Sequence, residues 1–276
     1  MSNKKVCVIT GSNSGIGKVA AIELAKQGYE LAMLVRDSQK SKDALLEIQK
    51  SSGSNDVKIY PVNLSSQASI NTAIEKIKND YTAIDILINN AGVFKRSCEL
   101  SDDGIEMTYA VNYFATFIIT NELIPLLKKS QSARIINLSS ALYKNGKASL
   151  ENINCKGKFN GNKVYADTKL LVILFTKELA LKLKDTNITV NSLHPGVVAT
   201  DVFREFPKYV MTILSPFISS PEKGAKATIY LALSDKVTGV TGKYFHKTKQ
   251  VKTIPLTQDK ELSKSIWEKT ISILKG

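Results

Sequence analysis

Apolar and polar positions follow two patterns that alternate along the chain. Short runs of consecutive apolar residues, typical of strands buried on both faces, are each followed by a longer segment with apolar residues at helical spacing. The predicted strands are 4–10, 29–35, 57–64, 84–92, 133–140, 188–196 and 242–245. The predicted helices are 15–28, 41–52, 66–81, 103–129, 164–184, 221–234 and about 258–275.

This alternation predicts an α/β fold. Strands separated by helices of ten or more residues imply a mostly parallel sheet, of about seven strands, with helices on both faces. The chain has 276 residues and no proline- or serine-rich linker. We therefore predict a single doubly wound, three-layer sandwich over residues 1–276.

Charge and composition exclude some classes of partner. The net charge is +13, but only four of the 38 basic residues are arginine and the lysines are spread along the whole chain. Base readout and phosphate clamping favour arginine, so we predict no nucleic-acid partner. No apolar run approaches the ~20 residues of a membrane span, and the N-terminus lacks a signal peptide. These features favour a cytoplasmic protein without a membrane span.

The cysteines and histidines carry no recognisable site pattern. Cys7, Cys98 and Cys155 are scattered and odd in number, which predicts neither a disulfide framework nor a metal site. No aspartate–histidine–serine pattern surrounds His194, and His246 is remote from it in the chain. We interpret His194 as structural and predict no metal.

A glycine-rich loop, "TGSNSGIG" at 10–17, follows the first strand and opens the first helix. Gly11 permits the turn, Gly15 lets backbone approach a pyrophosphate, and Gly17 lets helix and sheet pack closely. The unpaired N–H groups and the dipole of a helix N-terminus favour phosphate. The loop therefore predicts a dinucleotide site; the alternative is a glycine-rich turn without a ligand.

With further motifs in order, the chain resembles the short-chain dehydrogenase/reductase family of Rossmann-type enzymes. The motifs are "TGSNSGIG", "NNAG" at 89–92, Asn112, Ser140, Tyr165 with Lys169, and "PGVVAT" at 195–200. The resemblance implies alcohol–carbonyl oxidoreduction with a nicotinamide cofactor. It also implies cofactor contacts from Gly11, Ser12, Asn13, Gly15, Ile16, Gly17, Asn63, Leu64, Asn90, Ala91, Gly92, Tyr165, Lys169, Pro195, Gly196, Val198 and Thr200. Asn63 replaces the aspartate more usual in the family.

The end of the second strand, "MLVRD" at 33–37, bears on the choice of cofactor. A carboxylate there binds the ribose hydroxyl of NAD, whereas an arginine accommodates the 2′-phosphate of NADP. By resemblance, Val35 occupies the usual acidic position and Arg36 follows it. We predict that NADP(H) is preferred; NAD(H) stays open because Asp37 is adjacent.

The catalytic roles come from the resemblance together with helix geometry. Tyr165 is the expected acid/base, and Lys169, one turn further on the same helix face, is expected to lower its pKa. Ser140 is expected to hydrogen-bond the substrate oxygen. Asn112 resembles the asparagine that holds a water for proton relay.

The polar segment 144–163 separates Ser140 from Tyr165 and is predicted to be a solvated insertion at the mouth of the site. Its length resembles the retinol-dehydrogenase-like branch of the family. Segment 201–218, with apolar residues such as Phe203, Phe206 and Met211, is predicted to be a substrate lid. This predicts an apolar carbonyl or alcohol substrate.

The C-terminal helix has one apolar stripe. It can pack on the domain, form a dimer contact or lie on a membrane surface. The family resemblance also allows a homodimer or homotetramer. Two other functions stay open: a catalytically idle nucleotide-binding sensor or interaction protein, and a sugar-nucleotide epimerase or dehydratase.

Overall fold

The computed structural model describes residues 4–196 and 219–275. Within these residues one eight-stranded sheet has the order β3-β2-β1-β4-β5-β6-β7-β8. All neighbours are parallel except β7 and β8. The strands are β1 Val6–Thr10, β2 Glu30–Val35, β3 Val57–Pro61, β4 Ile86–Asn89, β5 Ala133–Leu138, β6 Ile188–His194, β7 Tyr244–His246 and β8 Lys249–Gln250.

Seven main helices flank this sheet within the described residues. They are α1 Gly15–Lys26, α2 Gln39–Ser52, α3 Gln67–Asp80, α4 Met107–Leu127, α5 Gly161–Lys182, α6 Pro221–Leu233 and α7 Lys260–Lys275. The predicted α/β sandwich with a mostly parallel sheet is confirmed. The sequence missed β8, because a two-residue strand has no period of its own.

Two hydrophobic clusters fill the space on the two faces of the sheet. One contains Leu24 of α1, Ile48 of α2 and Leu231 of α6. The other contains side chains of α3, α4, α5 and α7, including Leu123 and Leu174. Strands between two such layers have no face in water, which explains their continuous apolar runs.

Helix α4 has an unusual geometry and an unusual composition. Residues Ala110–Phe114 form a π-helical segment inside it, and such segments often occur at functional sites. Met107–Leu127 has a mean hydropathy of 1.3 and is long and apolar enough to cross a membrane, although 72% of it is buried inside the protein. The helix itself was predicted as 103–129, but not that it is long and apolar enough to span a membrane, so the absence of a membrane span stays a prediction.

The C-terminal helix α7 packs on α4 and α5, the first of the three placements considered. The Trp267 ring lies 4.8 Å from that of Phe117 and 5.6 Å from that of Phe175, between centroids. The Tyr113 and Thr270 hydroxyls are hydrogen-bonded at 2.8 Å. The apolar stripe of α7 is therefore directed at the domain.

The segment 144–163 exposes most of its polar side chains, but it also has a buried part that its sequence did not indicate. Ala148 and Leu150 are buried, and Ile153 and Phe159 pack against the core. The Tyr109 hydroxyl donates to the Ser149 carbonyl at 3.0 Å. These few apolar residues lack any periodicity, so only the folded chain shows which of them turn inward.

The cysteine prediction was wrong for two of the three residues. Cys98, in the loop between β4 and α4, forms a disulfide with Cys155 of the segment 144–163. The two Cα atoms lie 6.2 Å apart although 57 residues separate them in sequence. Cys7 is free and buried in β1. Spacing could not reveal the pair, because the topology alone brings the two loops together.

Candidate active site

The predicted phosphate loop forms a cradle at the start of α1. Gly11 and Gly15 have φ values of +65° and +53°, which favour glycine. A Cβ on Gly17 would collide with the Asn90 amide and lie 2.6 Å from the Gly11 carbonyl oxygen. The Ser12 hydroxyl is buried without a hydrogen-bond partner among the described residues. Bare backbone, a helix N-terminus and this hydroxyl fit a pyrophosphate.

The side chains of Asn13 and Ile16, two other predicted cofactor contacts in this loop, contact other parts of the protein. The Asn13 side-chain amide donates to the Ser41 hydroxyl of α2 at 3.0 Å. Ile16 is buried in the cluster shared by α1 and α2. Both therefore support the shape of the cradle, through α2 and the core.

The "NNAG" segment forms the second wall of the cradle. The Asn90 side-chain amide donates to the carbonyl oxygens of Thr10 and Gly11 at 2.9 and 3.1 Å. The backbone N–H groups of Asn90 and Ala91 donate to the Thr10 hydroxyl at 2.9 and 3.0 Å. Sequence reasoning missed Thr10, which had no signal beyond ending an apolar strand.

The end of β2 presents a base rather than an acid. Val35 is buried, while Arg36 is exposed directly after the strand. The Asp37 carboxylate lies 3.6 Å from the Lys42 ammonium in an exposed ion pair. An exposed arginine therefore follows β2, and the Asp37 carboxylate is paired with Lys42 of α2.

Asn63 and Leu64 follow β3 at the same edge of the sheet. The Asn63 side-chain oxygen accepts from the Ser65 N–H at 3.2 Å and from the Ser65 hydroxyl at 2.8 Å. Leu64 packs against the core. The structure therefore gives Asn63 a turn-forming role, as short polar side chains often have.

The segment after β6 is described only in part. Pro195 and Gly196 follow the strand, and Gly196 has a φ of +97°. Val198, Thr200 and the predicted lid 201–218 lie outside the described residues.

The two histidines are neighbours, contrary to the sequence analysis. His194 pairs with His246 across β6 and β7, and their stacked rings lie 5.3 Å apart. Burial, and next the charge of His246, lower the pKa of His194 to about 4. Among the described residues no group of three or more His, Cys, Asp or Glu side chains is placed to hold a metal ion.

Ser140 and Tyr165 meet where β5 and α5 approach each other. Ser140 follows β5, and its hydroxyl accepts from the Leu142 N–H at 3.3 Å. Burial raises the pKa of Tyr165 to about 12, and an interaction with the Ser140 hydroxyl acts in the opposite direction. At neutral pH the phenol therefore holds its proton.

Lys169 lies beside Tyr165 but acts differently from the expectation. Its ammonium lies 5.6 Å from the centre of the Tyr165 ring and donates to the Leu138 carbonyl at 3.1 Å. Burial lowers the pKa of Lys169 to about 8. The pKa of Tyr165 is raised rather than lowered as expected, because its burial is the largest influence on it.

Asn112 sits in the π-helical segment of α4 and holds the β4 loop. Its side-chain oxygen accepts from the Val93 N–H at 2.7 Å, and its amide donates to the Val93 carbonyl at 2.9 Å. The same amide lies 3.3 Å from the Thr168 hydroxyl. A Cβ on Gly92 would lie 3.3 Å from Lys169 Nζ and 3.4 Å from Asn112 Oδ1, so the end of "NNAG" lies between the two.

Two further residues fix this arrangement, and the sequence analysis gave neither a role. The Ser139 hydroxyl donates to the Lys169 carbonyl at 2.7 Å and so ties α5 to β5. The Thr168 hydroxyl donates to the Tyr165 carbonyl at 2.8 Å. Their side chains act on the backbone, so no motif spacing marks them.

Comparison with known proteins shows the family to which the chain is similar. The family model for short chain dehydrogenase matches residues 5–209. Retinol dehydrogenase 13 of Homo sapiens is 36% identical over 279 residues, covering 98% of this chain and 84% of that protein. Retinol dehydrogenase 14 of Homo sapiens is 34% identical over 285 residues, covering 96% and 84%.

Solved structures agree with the fold. An uncharacterized protein from Mycobacterium paratuberculosis has a TM-score of 0.79 at 26% identity, covering 98% of this chain and 93% of the other. A 3-ketoacyl-(acyl-carrier-protein) reductase from Brucella melitensis, complexed with NADH, has a TM-score of 0.69 at 25% identity, covering 88% and 96%. L-sorbose reductase from Gluconobacter frateurii, complexed with NADPH and L-sorbose, has a TM-score of 0.72 at 22% identity, covering 91% and 98%, and is similar in fold.

The cradle at Thr10–Gly17, the family model and the relatives lead to one assignment. The chain therefore belongs to the short-chain dehydrogenase/reductase family, in its retinol-dehydrogenase-like branch, and is an oxidoreductase that acts on CH–OH groups with a nicotinamide dinucleotide.

Proposed function

We propose that the protein interconverts an apolar alcohol and its aldehyde or ketone with NADP(H), using Tyr165 as acid/base. One observation carries the proposal: β5, α5 and α4 bring Ser140, Tyr165, Lys169 and Asn112 together at the carboxyl edge of the sheet. Ligands of open α/β sheets bind at this edge.

The chain's own residues supply binding and proton transfer. The cradle of Gly11, Ser12, Gly15 and Gly17 would hold the pyrophosphate, and the bound nicotinamide supplies or accepts the hydride. In the reductive direction, the Tyr165 hydroxyl donates its proton to the substrate oxygen. The Ser140 hydroxyl donates a hydrogen bond to the same oxygen as negative charge develops there.

The two pKa values suit this division of roles. With a pKa of about 12, Tyr165 carries its proton at pH 7. With a pKa of about 8, Lys169 is mostly charged at that pH and lies beside the ring. A positive charge there stabilises the phenolate that is left when Tyr165 gives up its proton. Asn112 binds the Val93 backbone and so fixes the loop after β4 that lies beside Lys169.

The preference for NADP(H) is supported by the end of β2. Arg36 is exposed at the carboxyl edge, and the neighbouring Asp37 is paired with Lys42. A guanidinium favours a 2′-phosphate, whereas a free carboxylate would repel it. The measurement is kcat/KM with NADPH and with NADH; a clear preference for NADH would contradict this proposal.

The apolar substrate is supported by the relatives and by one described side chain. The most similar curated proteins include retinol dehydrogenases 12 to 14. The buried Phe94 ring contacts Tyr165 edge-on, with ring centroids 5.8 Å apart. An aromatic ring beside the acid/base favours an apolar group on the substrate.

The deciding experiment is turnover of a panel of aldehydes, ketones, retinal and steroids. We expect Tyr165→Phe to lower kcat by about 100-fold or more, because the proton donor is lost. NADPH should still bind to this variant. Tyr230→Phe, on α6 at the opposite face of the sheet, is the matched control and should keep wild-type turnover.

The alternatives make different predictions in the same panel. A protein that binds NADPH but turns over no panel member would favour the catalytically idle sensor. Turnover of a sugar nucleotide without net change of the cofactor would favour the epimerase. Retention of most activity by Tyr165→Phe would make the acid/base assignment wrong.

A further inference from the structure

A disulfide joins a segment that contacts Tyr165 to the segment that leads into α5, the helix that carries Tyr165. Cys98 belongs to residues 93–101 of the loop after β4, and Cys155 belongs to residues 144–160 before α5. Together these two segments are called the substrate-side wall below. None of the predicted cofactor contacts lies in either segment.

The first segment packs directly on the helix that carries Tyr165. The Phe94 ring contacts the Tyr165 ring edge-on. The Lys95 carbonyl abuts Gly161 at the start of α5, where a Cβ would collide with it. Movement of this loop would therefore change the surroundings of Tyr165.

The second segment is tethered at its beginning and in its middle. The Asp167 carboxylate of α5 accepts a hydrogen bond from the Lys147 backbone N–H, and the nearby N–H groups of Ala148 and Ser149 also act on its pKa. The Ile153 carbonyl accepts from the N–H of Glu106, whose buried carboxylate caps α4. Between Ile153 and Phe159, which packs against the core, local hydrogen bonds occur, such as that from the Gly157 N–H to the Asn152 side chain at 2.9 Å.

Cys155 itself has a conformation that its side chain does not favour. Its φ is +59°, in the left-handed region where residues with a Cβ are uncommon. Such a backbone persists where the surrounding structure holds it. The link to Cys98 is the contact that holds Cys155 against the first segment, so its loss would release this residue first.

The disulfide is open to exchange, in contrast to the third cysteine. Cys98 is exposed and Cys155 is partly exposed, with Arg96, Lys156 and Lys158 close in sequence. Accessible sulfurs with positive neighbours exchange readily with other thiols. Cys7 is fully buried, and burial raises its pKa, so it is inert.

We propose that Cys98 and Cys155 form a thiol-controlled clamp on the substrate-side wall. As a disulfide they hold the wall against Tyr165; as thiols they release it, and the nucleotide cradle is unchanged. A dithiol reductant provides two electrons and two protons: the Cys98–Cys155 bond breaks, two thiols form and the dithiol closes to its own disulfide. In the reducing cytoplasm expected from the sequence, such a pair acts as a sensor.

The clamp rests on the proposed function in one respect: its effect on kinetics requires that the substrate binds beside Tyr165. Its test therefore has an arm without turnover. The full-length protein is oxidised or reduced with a small dithiol, and its disulfides are mapped by mass spectrometry of unreduced peptides. Brief trypsin digestion then measures cleavage after Lys156 and Lys158. We expect cleavage about tenfold faster in the reduced protein, since local opening controls proteolysis.

The second arm measures kinetics with a large apolar carbonyl. Reduction should raise its KM about threefold or more, with the NADPH dissociation constant unchanged. The double variant Cys98→Ser, Cys155→Ser is the matched control. It should behave as the reduced wild type in both arms and should not respond to the dithiol.

Several results would overturn the clamp. These are an oxidised protein without a Cys98–Cys155 peptide, equal cleavage rates in the two states, or a dithiol effect that persists in the double variant. A protein that turns over no carbonyl would overturn the proposed function instead, and the digestion rates would still decide the clamp.

Discussion

The nucleotide cradle and the substrate-side wall flank the same edge of the sheet, yet they are held by different kinds of contact. The cradle consists of Thr10–Gly17 and Asn90–Gly92, where backbone groups, the Thr10 hydroxyl and the Asn90 side-chain amide are hydrogen-bonded to one another. The wall depends on a disulfide between residues 57 positions apart and on single carbonyls bound by α4. The cradle is packed so closely that an added side chain would disrupt it. The wall is held by a few separate links, so a substitution should affect it strongly only where it removes one of them.

The largest expected effect breaks the cradle. Gly17→Val places a branched side chain against the Asn90 amide and the Gly11 carbonyl. Because the clash is with backbone, we expect NADPH to bind about 100-fold more weakly or worse, about 2.7 kcal/mol. Fluorescence titration measures this. Gly53→Asn, at the open left-handed end of α2, is the control and should bind normally.

The next effect tests the wall without touching the disulfide. Asp167→Ala removes the acceptor of the Lys147 backbone N–H and the negative charge beside the start of the segment 144–160. We expect the free energy of unfolding to fall by about 1–3 kcal/mol, with NADPH affinity unchanged. Asp185→Ala, in an exposed turn after α5, serves as the control. Equal losses of stability and of NADPH affinity would show that cradle and wall are one unit.

A smaller effect sharpens the description of the cradle at its adenosine end. Arg36→Ala should weaken NADPH binding about tenfold, about 1.4 kcal/mol, and leave NADH binding nearly unchanged. Lys50→Ala, also exposed but near the far end of α2, controls for the change in net charge. Equal weakening of both cofactors would remove Arg36 from the 2′-phosphate site.

The smallest effect concerns Lys169, which lies between the two regions. Its pKa is lowered by burial to about 8. Between about pH 8 and 10.5 the unfolded chain binds more protons at this lysine than the folded one, so stability rises with pH there. Lys169→Met should remove the larger part of that rise in the pH dependence of Tm.

Lys177 provides a comparison, because burial also lowers its pKa to about 8 while leaving it more exposed. Lys177→Met should flatten the same pH range by less. If the Tm of the wild type rises with pH in that range no more than the Tm of either variant, the burial of these two charges is contradicted.

The cradle could be predicted from the sequence, because its parts lie close together in the chain or at the ends of regular strands. Gly11, Gly15 and Gly17 are needed where the backbone turns sharply or another chain segment approaches, so their spacing carries geometric information. The spacing of Tyr165 and Lys169 also carries geometric information, because residues one helical turn apart lie on the same helix face. The carboxyl edge of a parallel sheet then collects such motifs.

The wall could not be predicted in this way. Cys98 and Cys155 carry no periodicity, and the polar composition of 144–163 concealed the burial of Ala148 and Leu150. His246 was also misplaced, because the β6–β7 pairing that brings it to His194 spans 52 positions and a short strand. Long-range contacts of single residues leave no repeat in the sequence.

The pKa values also differ between what the sequence predicted and what the folded protein shows. The sequence identified Tyr165 and Lys169 and predicted that the charge of the lysine would dominate. In the folded protein both are withdrawn from water, and burial dominates instead. Desolvation depends on every atom packed around a group, which local sequence does not specify.

By itself the sequence determined the order of strands and helices, the glycine cradle and the tyrosine–lysine pair, because each follows from spacing along one element. Only the tertiary structure decided the Cys98–Cys155 link, the buried part of 144–163, the packing of α7 and the protonation of the site. These depend on which distant segments meet, and that is set by the packing of the whole sandwich.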